Sequence, residues 1–331
     1  MTEGQRYFRY HFRKSVPKLI IELVMVLLVL LLIPKSDVEE DLIVFEMMFA
    51  GITMAVIMPF QEFSEFNNRR NLDTWFSLPI DRMKLAVVHY LNGAQHIGIV
   101  VSFMAIGLIF HAEGDTHLNF GMYILLYLTA LVMSLLLYGL LCLAFTSANT
   151  NSDGSTFVLA YLILPSAISL AVTMFTQRLD MWNREMDSFA IGMPGCLFRM
   201  RSGFAEGIVK TGEGLGKVFQ DSWFVSRLIL NVLICVAATA VMLYNFRNRH
   251  AEKVEDISDS WFGYRTLLPV YAFFAAFSTY SYAGSALLGI VLIVCYMAYR
   301  RSTKLHKSDW VVIAGYFVLS LLLCAMVQGI T

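Results

Sequence analysis

Nine predominantly apolar runs divide this chain, and they constrain it more than any other feature. They cover approximately residues 18–33, 42–60, 85–110, 120–145, 157–177, 223–244, 267–282, 283–299 and 310–326. A bilayer core of about 30 Å takes roughly 20 apolar residues per helix, so each run is a candidate membrane span. In lipid a helix closes its backbone hydrogen bonds within one segment. Composition agrees: 57% of the 331 residues are hydrophobic, 15% are charged, and mean hydropathy is +0.62. These values lie well to the apolar side of soluble domains. The expectation is an all-α polytopic membrane protein of about nine transmembrane helices.

Formal net charge is zero, so the overall balance gives no support to nucleic-acid binding, and the informative quantity is where charge falls along the chain. With the amino terminus inside, 17 of the 25 Lys and Arg residues fall in cytoplasmic segments. They lie at Arg6 to Lys18, Arg69 to Lys84, Arg247 to Arg265 and Arg300 to Lys307. The short external loops are almost free of cations, where the positive-inside rule has most force. This predicts a multi-pass protein of the cell (plasma) membrane with a cytoplasmic N-terminus. The seventh and eighth runs have only Ser281-Tyr282-Ala283-Gly284 between them, which allows a tight hairpin or two half-membrane segments.

Before the first span, residues 1–17 mix Arg6, Arg9, Arg13 and Lys14 with Tyr7, Phe8, Tyr10 and Phe12. Rings at headgroup depth and cations toward phosphate suit an interfacial helix in contact with membrane lipid. The competing reading, the basic region of a signal peptide, lacks a small-residue cleavage site, since Pro34-Lys35 follows the apolar run. Four of the five cysteines (Cys142, Cys235, Cys295 and Cys324) fall inside apolar runs, where they act as small hydrophobes, and Cys196 lies outside. Their scatter fits neither a disulfide framework nor a metal-ligand spacing.

Local motifs offer little chemistry. Thr211-Gly212-Glu213-Gly214-Leu215-Gly216-Lys217-Val218 has three residues between Gly212 and Gly216 and a valine after the lysine, so it fails the phosphate-loop pattern. His111-Ala-Glu113-Gly-Asp115-Thr-His117 reads either as a metal ligand set or, more economically, as a solvated turn, and no metal is expected. The ionisable residues within spans are Glu22, Glu46, His89, His96 and Arg227. Such groups are costly in hydrocarbon and mark possible intramembrane polar sites. Glu22, Glu46, His89 and Arg227 lie near span ends, where snorkelling can satisfy them; His96 is deeper and reads as hydrogen-bonded packing or a proton relay. No catalytic residue set is evident, which argues against an enzyme. The segment 178–221 is too long for a plain connection. It is expected to form an external cap, serving as a gate or as a rigid lid.

One polar insert, from Glu62 to Lys84, encloses Asn71-Leu72-Asp73-Thr74-Trp75-Phe76-Ser77-Leu78-Pro79-Ile80-Asp81-Arg82. Leu72, Trp75, Phe76 and Leu78 form an apolar centre in a charged frame, and an exposed apolar patch marks a contact surface. Pro79 disfavours helix at Leu78, so a short helix at about 67–80 should stop before the third span. The competing reading is an amphipathic loop lying on the bilayer.

At this insert the chain resembles ABC-2-type permeases, the membrane subunits of ATP-driven exporters, through its Ser77-Leu78-Pro79-Ile80-Asp81-Arg82 element, its interfacial start and its second and third spans. The basic linker 244–253 and the three spans after it resemble a Gram-positive subgroup with a C-terminal extension. The resemblance implies an N-terminal interfacial helix at 1–17, a six-helix core at 18–245 and a link plus three further spans at 246–331. It implies a cytoplasmic coupling helix in which Leu72, Asp73, Trp75, Phe76, Leu78, Pro79, Ile80 and Arg82 contact an ABC ATPase subunit. It further implies a second permease, the same chain or a homologue, with ATP and Mg held by the ATPase and no cofactor bound here. Apolar walls rich in Met and Phe favour export of an amphipathic cargo such as a peptide, lipid or drug. The alternative is a non-transporting membrane sensor or assembly module that docks a cytoplasmic partner.

Overall fold

A computed structural model describes residues 3–32, 40–71, 80–111, 120–178, 222–248, 254–258, 260–278 and 281–330. Within them the chain is helical, with no strand. The helices are α1 (Glu3–Leu32), α2 (Glu40–Phe63), α3 (Arg82–His111), α4 (Phe120–Thr146), α5 (Asn151–Arg178), α6 (Ser222–Arg247), α7 (Tyr264–Ser278), α8 (Tyr282–Arg300) and α9 (Lys307–Ile330), with a 3₁₀ turn at Ser64–Asn67 after α2.

Seven of these are long and apolar enough to cross a membrane: α1, α2, α3, α4, α6, α8 and α9. α7 has 15 residues and so spans only about 22 Å at 1.5 Å per residue, short of the hydrocarbon thickness. α8 has 19 residues, and its first turn is capped by Ser281, which accepts from the Gly284 amide. Of the expected pair at 267–299, then, one member is short and the other has full length.

Over the described residues, 3–32, the basic-aromatic segment and the first apolar run form one helix, not two. α1 continues through Pro17 for 30 residues, or about 45 Å, exceeding the bilayer core of about 30 Å by roughly half. Its cationic half therefore extends beyond any hydrocarbon slab that the apolar half fills.

α2 packs on α3 and α4, α1 lies along α3, and α6 closes the group against α4 and α3. Their shared core includes Met47, Met58, Phe63, Phe66, Ile97, Tyr138, Phe145 and Phe246. Close approach is made possible by glycine: a Cβ on Gly51 would overlap Ser134 Oγ, and one on Gly93 would overlap the Tyr138 hydroxyl. Small residues at such contacts bring membrane helices together, where lipid tails compete with side chains for dispersion contacts. α7, α8 and α9 build a second, smaller core from Ala272, Ala276, Leu292, Tyr296, Tyr299, Ile313 and Tyr316. α7 docks this trio on α5.

Candidate functional site

The densest chemistry in the described residues is a chain of buried polar groups between α1, α2 and α3. α1 supplies Tyr7, His11, Ser15 and Glu22, spaced by four, four and seven residues. That spacing places them along one face. α3 supplies His89, Asn92 and His96, spaced by three and four, on the face that meets α1. α2 contributes Glu62 from its last turn.

Glu62 is the hub. Its Oε2 lies 2.9 Å from His11 Nε2 and 3.2 Å from His89 Nδ1, and its Oε1 accepts from Asn92 Nδ2 at 2.8 Å. The far nitrogen of His89, Nε2, meets the Tyr7 hydroxyl at 3.3 Å. From Asn92 the chain runs on through the Ser15 hydroxyl, which reaches Asn92 Oδ1 at 3.3 Å, to His96 Nε2 at 3.0 Å from Ser15 Oγ. It ends where His96 Nδ1 meets Glu22 Oε2 at 2.8 Å. Two carboxylates on different helices are thus joined by an unbroken series of hydrogen bonds.

Burial makes these contacts matter. The side chains of Glu62 and His89 are 3% and 1% exposed, whereas His11 is 12% exposed and forms the edge of the cluster. Phe66 stands edge-on to the His89 ring at 4.9 Å, and Phe63 lies at 6.2 Å. The His11 and His89 rings are 4.1 Å apart, both turned to the same carboxylate oxygen. A carboxylate in such surroundings is tolerable only when its oxygens are hydrogen-bonded and its charge is met. For Glu62 three donors converge; at Glu22 one oxygen is met by His96 while Oε1 has no hydrogen-bond partner.

Among the residues singled out from sequence, Glu22 and His96 come together here, and His89 joins Glu62. Glu46 is half-buried on α2, 16 residues from Glu62 and so about 24 Å along the helix. Ile80 and Arg82 lie at the entrance to α3. Leu72, Asp73, Trp75, Phe76, Leu78 and Pro79 lie outside the described residues, as do the cluster at 112–117, the segment 179–221 and the side chain of Arg227.

Sequence reasoning placed Glu62 in the solvated frame of the polar insert and His11 at the membrane surface; the structure buries the first and brings the second against it. Asn92 and Ser15 belong to no sequence motif, and only the packing of α1 on α3 joins them to the hydrogen-bonded chain. The readable signal was polar residues at helical spacing inside apolar helices, 11, 15 and 22 on α1 and 89, 92 and 96 on α3. The expectation of no metal site rested on local spacing, whereas His11, Glu62 and His89 are 51 and 27 residues apart and form one group able to hold an ion.

Comparison of the chain with protein-family models, with curated proteins and with solved structures finds no match in any of the three.

Proposed function

We propose that this chain is the membrane-spanning permease subunit of an ATP-driven ABC exporter of an amphipathic cargo, with ATP hydrolysed by a separate subunit. In this reading nine helices cross the cell membrane from a cytoplasmic N-terminus, the short α7 with local thinning of the bilayer. A second permease, identical or homologous, completes the path.

The observation that carries the proposal is the position of the polar insert. Its described ends, the 3₁₀ turn after α2 and the residues leading into α3, join it directly to these two helices, which both contribute to the larger core. Glu62, the first residue of the insert, and His89, little more than a turn past its end, tie them together. The Arg69 amide donates to Glu255 Oε1, joining the start of the insert to the segment ahead of α7. A force applied at Leu72, Trp75 and Phe76 would reach both core helices at once, as a rigid-body switch requires.

The test is affinity purification of the full chain from its native host in mild detergent, followed by mass spectrometry of what stays bound. The expected result is a Walker-motif ATPase that co-purifies with the wild type and is lost from the Trp75→Asp/Leu78→Asp variant. A folded, stable chain that brings down no ATPase would overturn the permease reading in favour of a non-transporting membrane module.

A further inference from the structure

The geometry points to a binding site for a divalent transition-metal ion formed by His11, Glu62 and His89. Their candidate ligand atoms all lie within 4.8 Å of one another. Zinc bonds to imidazole and carboxylate are about 2.0–2.2 Å, so two ligands on one tetrahedral ion stand about 3.3 Å apart. The two histidine nitrogens are already 2.9 and 3.2 Å from Glu62 Oε2, and no two of the three ligand atoms are more than 4.8 Å apart, so seating an ion needs a shift of at most about 1.5 Å.

The surroundings also fit. Ligating histidines characteristically bond a partner through the other ring nitrogen, and ligating carboxylates are themselves hydrogen-bonded. His89 has Tyr7 on Nε2, and Glu62 has Asn92 on its second oxygen. Two imidazoles and one carboxylate suit zinc and its first-row neighbours over magnesium or calcium, and three protein ligands leave a fourth position open. His11, at the exposed edge, gives the route in.

Binding needs no net loss of protons. Without metal, His11 Nε2–H and His89 Nδ1–H both donate to Glu62. With metal, each histidine offers that nitrogen's lone pair, and its proton sits on the opposite nitrogen. At His89 that proton faces Tyr7 Oη, which changes from donor to acceptor. With both histidines neutral, the Glu62 carboxylate is met by hydrogen-bond donors, and the ion adds the positive charge that they lack.

The site is independent of whether the chain partners an ATPase, so its test uses the purified full chain alone. The protein carries a tag without histidine, is stripped with chelator in detergent, and is titrated with Co²⁺ and Zn²⁺. We expect one ion per chain, the visible d–d absorption of tetrahedral Co²⁺, and a Zn²⁺-dependent rise in Tm. Asn92→Ala should weaken binding by about 10- to 100-fold, and His11→Gln and Glu62→Gln by more. His306→Gln, between α8 and α9 and away from the cluster, should bind as the wild type does. A wild-type chain that takes up no ion, or that gives no tetrahedral Co²⁺ spectrum, overturns the site, and so does undiminished binding in folded His11→Gln. Should a variant fail to fold, the wild-type stoichiometry and spectrum decide alone.

Discussion

At the scale of single residues, Glu62 holds the most consequential position in the larger core. Its two oxygens organise His11, His89 and Asn92, so replacing it with leucine removes one charge but strands several buried donors. Each stranded donor costs about 1–3 kcal/mol, and Glu62→Leu should lower stability by about 3 kcal/mol or more, read as a fall in Tm in detergent. Tm unchanged within a degree or so would show that the network contributes little. Glu22 and His96 make a second pair, sharing the chain through Ser15. Glu22→Gln and His96→Gln should therefore be non-additive in a double-mutant cycle, with a coupling of about 0.5–3 kcal/mol; strict additivity would mean that the contact is not formed.

At the scale of elements, helix contacts are set by small residues and by a few ionic ties. Gly51 lets α2 approach α4 until Ser134 fills the space a side chain would need, so Gly51→Leu should force the helices apart. The expected cost is about 1–3 kcal/mol, seen as reduced recovery of monodisperse protein on size exclusion, while Gly4→Leu, with open space around it, should be neutral. In the C-terminal trio Arg300 grips Asp309 through two bonds of 3.0 and 2.9 Å, and the same carboxylate accepts from the His306 amide, which fastens the end of α8 to the start of α9. Farther along, Asp153 in the first turn of α5 accepts from Ser258 at 2.7 Å and from Tyr264 at 3.0 Å. Asp153→Ala should free the linker before α7 and speed its cleavage in limited proteolysis; an unchanged cleavage rate would assign the linker's order to other contacts.

At the scale of the whole molecule, two cores of unequal size share one bundle. The larger is built from α1 to α6 together with Leu267 of α7, the smaller from α7 to α9, with α5 and α7 as the seam. Tyr271 and Tyr161 cross that seam, each donating its hydroxyl to a backbone carbonyl of the other side, Ala160 and Phe262 respectively. The proposed nine-span topology predicts that single cysteines placed at 150, 256 and 303 react with impermeant reagent only from the cytoplasmic side. Cysteines placed at 115 and 200 should react only from outside. Labelling of 200 from the cytoplasmic side would remove α5 from the set of spans and invert everything after it.

What the sequence determined alone was the class of molecule and the approximate course of its helices, because hydropathy over 20 residues is a local quantity that the bilayer reads directly. The joining of the interfacial segment to the first span was not legible, since basic and aromatic residues suit a surface helix as well as the overhanging end of a long one, and Pro17 marks a boundary in many sequences. For the seventh and eighth runs the sequence left a tight hairpin and two half-membrane segments open, and the structure gives a short α7 before a full-length α8 capped by Ser281. Ionisable residues inside the spans could be read as Glu22, His89 and His96, but not their pairing. Glu62 looked like the first residue of a solvated insert, and His11 like one cation in a basic stretch. Only packing α1 across α3 and α2 brought residues 11, 62 and 89 to one point, because a site made from three helices depends on their rotation and register, which no single helix carries in its own sequence.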